Sequence, residues 1–239
     1  MTVFRAVFAA IVLALLCQAP ASGQFGEQGP MVETSLVSGH AAAAPGETIH
    51  IALHQEITPG WHTYWRNPGD SGEATRLDLD LPEGWNVGEI VWPAPKAYPL
   101  GPLTNYGYSD AVTLPMPVHI PDGAQAGTVT IPARATWLVC EDVCIPEEAD
   151  LSITIEIGES RVNPAGAAMI EAALAAAPDA AGEQLRGGAE KTDEAIVLTL
   201  VGDALAGGAD RLRNLQVFPV ESGIIDHAAP QPVRLEDGA

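Results

Sequence analysis

The sequence predicts an all-β protein: an immunoglobulin-like antiparallel β-sandwich, followed by a short helix and a partial second β domain. Between residues 33 and 157, apolar side chains alternate with polar or small ones in a series of short segments. That period of two is typical of strands that bury one face. Turn signals such as Asn67-Pro68-Gly69 and Pro121-Asp122-Gly123 separate the segments. Many short strands with frequent turns favour a two-sheet sandwich.

Residues 1–21 have the features of a secretory signal peptide. Arg5 precedes a short apolar run, and the small residues of Ala19-Pro20-Ala21 suit cleavage after Ala21. The run has about half of the roughly 20 apolar residues that a membrane anchor needs. Cys17 lies in this segment and follows a leucine rather than the small residue typical of lipoprotein processing, so we expect it to be removed. The alternative is that Cys17 is retained and carries a lipid anchor. The expected location of the exported chain is the periplasm.

Five segments carry the strand alternation, and we expect them to form the body of the sandwich. They are residues 49–53, 77–81, 112–118, 129–139 and 151–157. Together they define a predicted domain of residues 25–158.

A helix is predicted for residues 164–177, within a linker of residues 159–182. Asn163 is a suitable N-cap, Pro164 suits the first turn, and Pro178 ends the helical pattern. The helix therefore separates the sandwich from whatever follows it.

Residues 183–239 are interpreted as a partial second β domain. Strand patterns occur at residues 194–201 and 215–220, with a loop rich in Gly and Ala between them. Two strands cannot bury a core by themselves. We therefore expect this region to belong to a longer protein.

The charge of the chain is strongly negative, with 31 acidic against 11 basic residues and a net charge of −20. Such a surface repels phosphate backbones and anionic lipid headgroups. The acidity is interpreted as a solubility feature of an exported domain, and no nucleic-acid partner is expected.

The segment with the clearest chemical signal contains Cys140 and Cys144, which strand patterns flank on both sides. On one continuous strand the two residues would lie about 13 Å apart, too far for a disulfide. If residues 141–143 instead form a tight turn, the cysteines face each other at about 4.5–5.5 Å between Cα atoms. A bridge across so short a loop adds little stability and is open to attack by another thiolate. Cys140 and Cys144 are therefore the candidate catalytic residues.

Two other interpretations of the cysteine pair stay open. One is a structural disulfide in a non-catalytic interaction domain. The other is a copper-binding module, because two thiolates can hold Cu(I). No Cys or His cluster with metal-site spacing accompanies the pair, so the sequence predicts neither a metal nor a cofactor.

Residues 61–65 supply aromatic and polar side chains that have two interpretations. Most such residues in strand-like segments are core or half-buried sheet residues, and this is the simpler interpretation of Trp65, which is otherwise a candidate supporting residue beside the cysteine pair. His62 and Tyr64 are candidates for polar contacts with a thiolate. The remaining histidines show no ligand spacing and are interpreted as surface or strand residues; they are His40, His50, His54, His119 and His227.

The segments Trp137-Leu138-Val139-Cys140 through Cys144-Ile145-Pro146-Glu147, together with residues 60–72, resemble a known family. It is the periplasmic amino-terminal domain of thiol:disulfide reductases of the DsbD and ScsB type. The resemblance is closest to the ScsB branch, which is linked to copper tolerance. It spans residues 31–157 and continues at residues 218–230.

The resemblance implies dithiol-disulfide exchange, a protein-disulfide reductase activity that is one part of a larger enzyme. Electrons would come from a membrane-embedded thiol reductase domain of the same polypeptide and pass to periplasmic thioredoxin-like proteins. Cys140 and Cys144 match the reactive pair of the family. Residues 103–109 match a loop that caps it, with Asn105 and Tyr106 as cap residues. Asn105 is a departure, because the better-known branch has a Phe at that place.

Overall fold

The computed structural model describes residues 29–178, 185–202, 205 and 215–234. The predicted signal peptide and Cys17 lie outside these residues. Across the described part of the chain, no helix is long and apolar enough to cross a membrane.

The described residues form fourteen strands and one helix. The strands are β1 (Val32–Ser38), β2 (His40–Ala43), β3 (Thr48–Ile57), β4 (Thr63–Gly69), β5 (Arg76–Leu79), β6 (Asn86–Val87), β7 (Lys96–Leu100), β8 (Leu103–Tyr108), β9 (Ala111–His119), β10 (Gly127–Cys140), β11 (Cys144–Ile157), β12 (Arg161–Val162), β13 (Arg186–Lys191) and β14 (Ile196–Val201). The helix is α1 (Pro164–Ala175). All five predicted segments of the sandwich contain strands, although residues 77–81 are a strand only as far as Leu79, so the predicted fold class is confirmed.

Two main sheets enclose the core, and a smaller sheet carries part of the functional site. The first sheet has the order β1-β3-β9-β6, and the second has the order β12-β2-β11-β10-β5. The smaller sheet has the order β4-β8-β7. Except for the short parallel pair β2 and β11, all strand pairs within these three sheets are antiparallel.

The core divides into two clusters along the length of the long hairpin β10–β11. We call the first cluster the aliphatic end; its buried residues are Ala43, Ile49, Ile51, Val118, Ile120, Ile131, Ile155 and Ile157. We call the second the cysteine end, because its buried residues include Trp137 and Val139 beside Cys140, together with Trp65 and Tyr106. The hairpin thus runs from one core cluster to the other.

Helix α1 is held at its start by the predicted cap. The side-chain oxygen of Asn163 accepts a hydrogen bond from the backbone N–H of Gly166, and its Nδ2 donates to the carbonyl of Ser38. The helix buries Ile170 against the sandwich and ends at Ala175, two residues before the predicted end. The helix prediction is confirmed.

The region after the helix differs from the sequence expectation in two elements, because strand β13 (Arg186–Lys191) was not predicted and a predicted strand is missing. Residues 196–201 form β14, which pairs with β13 as a separate hairpin. Residues 215–220, which we predicted to be a strand, are not a strand. Around Val217 the side-chain amide of Gln231 exchanges hydrogen bonds with the backbone N–H and C=O that a strand partner would otherwise take. The division into two domains stays a prediction.

We call residues 215–234 the strap, because they lie against the cysteine end of the sandwich. Phe218 packs edge-on against Trp65 and Tyr106, with ring centroids 6.3 Å and 4.9 Å away. His227 is buried with an exposed fraction of 6 % and shares a 3.1 Å hydrogen bond with the Tyr106 hydroxyl. The interpretation of His227 as a surface or strand residue was therefore wrong, because tertiary packing of the strap buries it.

Candidate functional site

The hairpin β10–β11 brings Cys140 and Cys144 together at its turn. The two residues are paired across the hairpin with their Cα atoms 4.2 Å apart, and their sulfurs form a disulfide. The backbone N–H of Glu141 donates to the carbonyl of Val143 and tightens the turn. The predicted three-residue turn is confirmed.

The two cysteines differ in their access to solvent. Cys140 is fully buried, whereas Cys144 is exposed at the start of β11. Glu141, Asp142 and Val143 are exposed as well, and Val143 has an exposed fraction of 64 %. A second protein can therefore approach the turn from the side of Cys144.

The segment before β4 is fixed directly to the buried cysteine. The backbone N–H of His62 donates to the carbonyl of Cys140, and the N–H of Cys140 donates to the carbonyl of His62, both at 2.9 Å. This two-way bridge aligns β4 with the end of β10. Because side chains alternate along a strand, His62 and Tyr64 project to the same side.

Tyr64 is the side chain that contacts both sulfurs. Its hydroxyl donates to Cys140 Sγ at 2.8 Å and lies 3.4 Å from Cys144 Sγ. Tyr64 is fully buried, and this burial raises the pKa of its phenol above the ordinary tyrosine value. The hydroxyl therefore stays protonated and serves as a hydrogen-bond donor to sulfur.

Asn105 on β8 lies on the other side of the Tyr64 hydroxyl. Its Nδ2 donates to Tyr64 Oη at 3.4 Å, and its Oδ1 accepts from the Ser71 hydroxyl at 2.9 Å. The loop that carries Ser71 is tied to β8 by Asp70, whose carboxylate accepts from the backbone N–H of Thr104 at 2.7 Å. The structure thus brings Cys140, Cys144, Tyr64 and Asn105 into one group of contacts.

Gly72 allows the same loop to lie flat against the Tyr64 ring. Its φ of +102° is a conformation that other residues rarely adopt. A Cβ atom at this position would overlap the ring carbons of Tyr64. The loop therefore confines the tyrosine ring from its face.

His62 and Tyr98 form a stacked pair beside Tyr64. Their rings are nearly parallel with centroids 4.7 Å apart, and His62 meets the Tyr64 ring edge-on at 5.3 Å. Burial lowers the pKa of the His62 imidazole below the ordinary histidine value. Its Nε2 is buried without a hydrogen-bond partner among the described residues. A neutral imidazole fits this apolar, stacked position.

Trp65 and Tyr106 contact the strap instead of taking part in the hydrogen bonds around the sulfurs. Trp65 packs against Phe218, and the Tyr106 hydroxyl pairs with His227. Their contacts are typical of the core interpretation that the sequence already offered for Trp65. The cap role predicted for Tyr106 stays a prediction.

Sequence reasoning did not single out two residues of this site, Ser71 and Tyr98. Ser71 lies within the segment 60–72 that carried the family resemblance, so its position was a usable signal. Tyr98 had no such signal, because its partner His62 is 36 positions away and the contact depends on the pairing of β7 with β8.

As for metals, the described residues contain no group of three or more His, Cys, Asp or Glu side chains arranged to hold an ion.

Comparison with known proteins places residues 33–155 in one family, described as thiol:disulfide interchange protein DsbD, N-terminal. Among curated proteins no significant match is found.

Solved structures are also similar to the chain, and two of them are periplasmic or N-terminal domains of related name. The N-terminal periplasmic domain of ScsB from Proteus mirabilis matches 74 % of this chain with 19 % sequence identity and a TM-score of 0.57. The match covers 66 % of that domain, so the chain spans slightly less than two thirds of its length. The N-terminal domain of DsbD from Neisseria meningitidis in the reduced form has 14 % identity and a TM-score of 0.30, over 54 % of this chain and 90 % of that one. The ScsB likeness shows the same fold.

Proposed function

Because the chain belongs to the family of DsbD N-terminal domains, which are thiol:disulfide interchange domains, we propose that it relays electrons through Cys140 and Cys144. In this proposal it works in the periplasm as the exchange part of a protein-disulfide reductase. It takes electrons from a membrane-embedded thiol reductase domain and passes them to periplasmic thioredoxin-like proteins.

The observation that carries the proposal is the unequal exposure of the two cysteines. An attacking thiolate must reach one sulfur of a disulfide, and the other sulfur must accept the electron pair and leave. Cys144 is exposed and Cys140 is fully buried beneath it, with the Tyr64 hydroxyl 2.8 Å from its sulfur. The geometry favours Cys144 as the attacked sulfur and Cys140 as the leaving and resolving one.

Reduction of the domain then takes two steps. A thiolate of the reductase attacks Cys144 Sγ, the Cys140–Cys144 bond breaks, and its electron pair leaves on Cys140 as a thiolate. A second thiolate of the reductase attacks its own sulfur in the mixed disulfide and releases Cys144 as a thiolate. The reductase becomes a disulfide and the domain a dithiol, so two electrons have moved.

Reduction of an acceptor follows the same path in the opposite direction. The Cys144 thiolate attacks the acceptor disulfide and releases one acceptor cysteine as a thiolate. The Cys140 thiolate then attacks Cys144 Sγ, the domain disulfide forms again, and the second acceptor cysteine leaves. The acceptor gains the two electrons that the domain loses.

A purely structural disulfide is the alternative that the geometry supports less. The bridge closes a loop of only three intervening residues. Its entropic contribution falls below the roughly 3 kcal/mol of a fifteen-residue loop. Cys144 is also exposed, whereas a disulfide that only stabilises the core can be fully buried.

The test combines thiol trapping with thermal unfolding of two serine variants. The reduced protein is mixed with an oxidised thioredoxin-like acceptor. We expect Cys140→Ser to accumulate a mixed disulfide through Cys144, because the resolving thiol is absent. Cys144→Ser should neither trap nor reduce the acceptor. Both variants should stay folded, with only modestly lower melting temperatures.

Thr130→Ala is a suitable control because Thr130 is exposed on the same hairpin, far along β10 from the cysteines. Its exchange rate should equal that of the unmodified protein. The proposal is wrong if either serine variant stays folded and still reduces the acceptor at the normal rate.

A further inference from the structure

The hydrogen bonds around the disulfide form a one-directional chain that begins outside the cysteine hairpin. Ser71 donates to Asn105 Oδ1 at 2.9 Å, Asn105 Nδ2 donates to Tyr64 Oη at 3.4 Å, and Tyr64 donates to Cys140 Sγ at 2.8 Å. Each hydroxyl or amide gives a proton toward the buried sulfur. Such chains polarise their members, so each bond strengthens the next.

The chain matters most in a state of the protein that lacks the disulfide. A disulfide sulfur is a weak hydrogen-bond acceptor, whereas a thiolate accepts a charge-assisted bond that is about twice as strong as a neutral one. The fully buried Cys140 has little water to stabilise its charge when it leaves. The Tyr64 hydroxyl is the group in place to do so.

The acceptor to which the Tyr64 hydroxyl donates its hydrogen bond depends on Asn105. A phenol has one proton to give and an oxygen that also accepts. If an acceptor lay on the far side of Tyr64 Oη, the proton would have a choice between that acceptor and sulfur. The Asn105 amide presents its Nδ2 donor there because its Oδ1 is engaged by Ser71. The Tyr64 proton is then left for the two sulfurs, of which Cys140 Sγ at 2.8 Å is nearer than Cys144 Sγ at 3.4 Å.

We propose that Asn105, oriented by Ser71, is a positioning residue that directs the Tyr64 hydroxyl at Cys140 and so stabilises the thiolate released there. This inference rests on the proposed function, since it assigns a role within thiol exchange at the same site. It also gives a physical reason for an asparagine at a place where a shielding aromatic residue occurs in the better-known branch. Asn105 acts through Tyr64 and does not itself touch the reacting sulfur in this assignment.

The experiment is a double-mutant cycle on Tyr64 and Asn105. The readout is the pH titration of the Cys140 thiol in the reduced protein, followed by NMR through the carbon chemical shift of its Cβ atom, because no reagent then has to reach the buried sulfur. We expect Tyr64→Phe to raise the apparent pKa of the Cys140 thiol, so that the thiolate fraction below that pKa falls about tenfold, as loss of a hydrogen bond to a charged group implies. Asn105→Leu, which is similar in size but cannot donate, should shift the profile in the same direction.

The double variant decides between a relay and independent effects. If Asn105 acts through Tyr64, Tyr64→Phe combined with Asn105→Leu should lower the thiolate fraction of Cys140 no more than Tyr64→Phe alone. Ser71→Ala, in a half-buried loop position, should give a smaller shift of the same sign. The control Asn86→Ala, on an exposed strand of the other main sheet, should leave the profile unchanged.

Two results would overturn the inference. In the first, the effects of the Tyr64 and Asn105 variants multiply in the double variant. In the second, Asn105→Leu lowers the melting temperature but leaves the pH profile of Cys140 unchanged, which would make Asn105 merely structural. Neither readout uses an acceptor protein. A failure of the hydrogen-bond effect of Asn105 on Tyr64 can therefore be distinguished from a failure of the electron-transfer role.

Discussion

The two ends of the sandwich share strands β3, β9 and β10 but differ in what they bury. The aliphatic end is filled by Ile and Val side chains with an alanine, from β2, β3, β9, β10, β11 and the residue after β9. The cysteine end buries aromatic rings and, around them, polar side chains that hydrogen-bond to tyrosine hydroxyls or backbone carbonyls or, in one case, stack on a tyrosine ring. Its buried polar residues include His62, Asn67, Asn105 and His227.

The contrast indicates how a substitution at each end should act. Burial of branched aliphatic side chains contributes about 1.5–3 kcal/mol each and needs no partner of fixed geometry. A buried polar group contributes little by itself and is costly when its partner is lost. Changes at the aliphatic end should therefore affect folding, whereas changes at the cysteine end should affect reactivity first.

The largest effect on stability is expected at the aliphatic end. Ile131→Ala removes a fully buried side chain and should lower the free energy of unfolding by about 2–5 kcal/mol. Denaturant unfolding measures this loss. Val129→Ala, two residues away on β10 and only half-buried, should cost clearly less. At a temperature where Ile131→Ala is folded, its exchange rate should be normal; a slower rate would show that the two ends are not independent.

Gly72→Ala should combine a stability loss with a functional one. The added Cβ overlaps the Tyr64 ring, and the positive φ strains any residue other than glycine, at about 1–3 kcal/mol. The ring must move from Cys140, so exchange should slow even where the protein is folded. Gly123→Ala is the matched control, because a Cβ there meets nothing within 4 Å. Normal exchange by folded Gly72→Ala would contradict the role given to the Tyr64 contact.

A smaller effect is expected where the strap joins the cysteine end. Asn67 Nδ2 donates to the carbonyls of Pro219 and Glu221 at 2.7 Å and 3.2 Å. Asn67→Ala should lower the free energy of unfolding by about 1–2 kcal/mol, from two hydrogen bonds of about 0.5–1.5 kcal/mol each. Limited proteolysis should cut the strap sooner in this variant than in the exposed control Asn86→Ala. Equal cleavage of both would mean that Asn67 does not hold the strap.

The smallest effect is a pH dependence that His62 adds to the cysteine end. Burial lowers the pKa of His62 in the folded protein, so the unfolded chain binds the proton more tightly. The contribution of neutral His62 to the free energy of unfolding is therefore fully present above about pH 6.5, the ordinary pKa of histidine. It is lost as the pH falls below that value. His62→Gln should flatten the fall in melting temperature between pH 7.5 and 5, whereas the exposed His119→Gln should leave it as it is. An unchanged slope in His62→Gln would rule out this contribution.

Local features of the sequence determined the sandwich, the helix and the cysteine hairpin. Strand alternation, the Asn163 cap and the four-residue spacing of Cys140 and Cys144 each concern residues close in the chain, where backbone geometry leaves few choices. The family was accessible for the same reason, since its motifs are continuous segments. The fold class and the family resemblance are confirmed, whereas the signal peptide, the domain division and the roles of the site residues stay predictions.

Only the tertiary structure decided which polar groups meet at the sulfurs. Ser71 and Asn105 are 34 positions apart, and Tyr64 and Cys140 are 76 apart. Their contacts depend on the register of β4 with β8 and on the bridge between His62 and Cys140, which no local pattern specifies. The strap also depends on tertiary contacts. Residues 215–220 have the alternation of a strand, but Gln231 hydrogen-bonds to their backbone in place of a neighbouring strand. Phe218 packs against Trp65 and Tyr106. An alternation of apolar and polar residues predicts that one face of a strand is buried, and only the tertiary structure determines which residues cover that face.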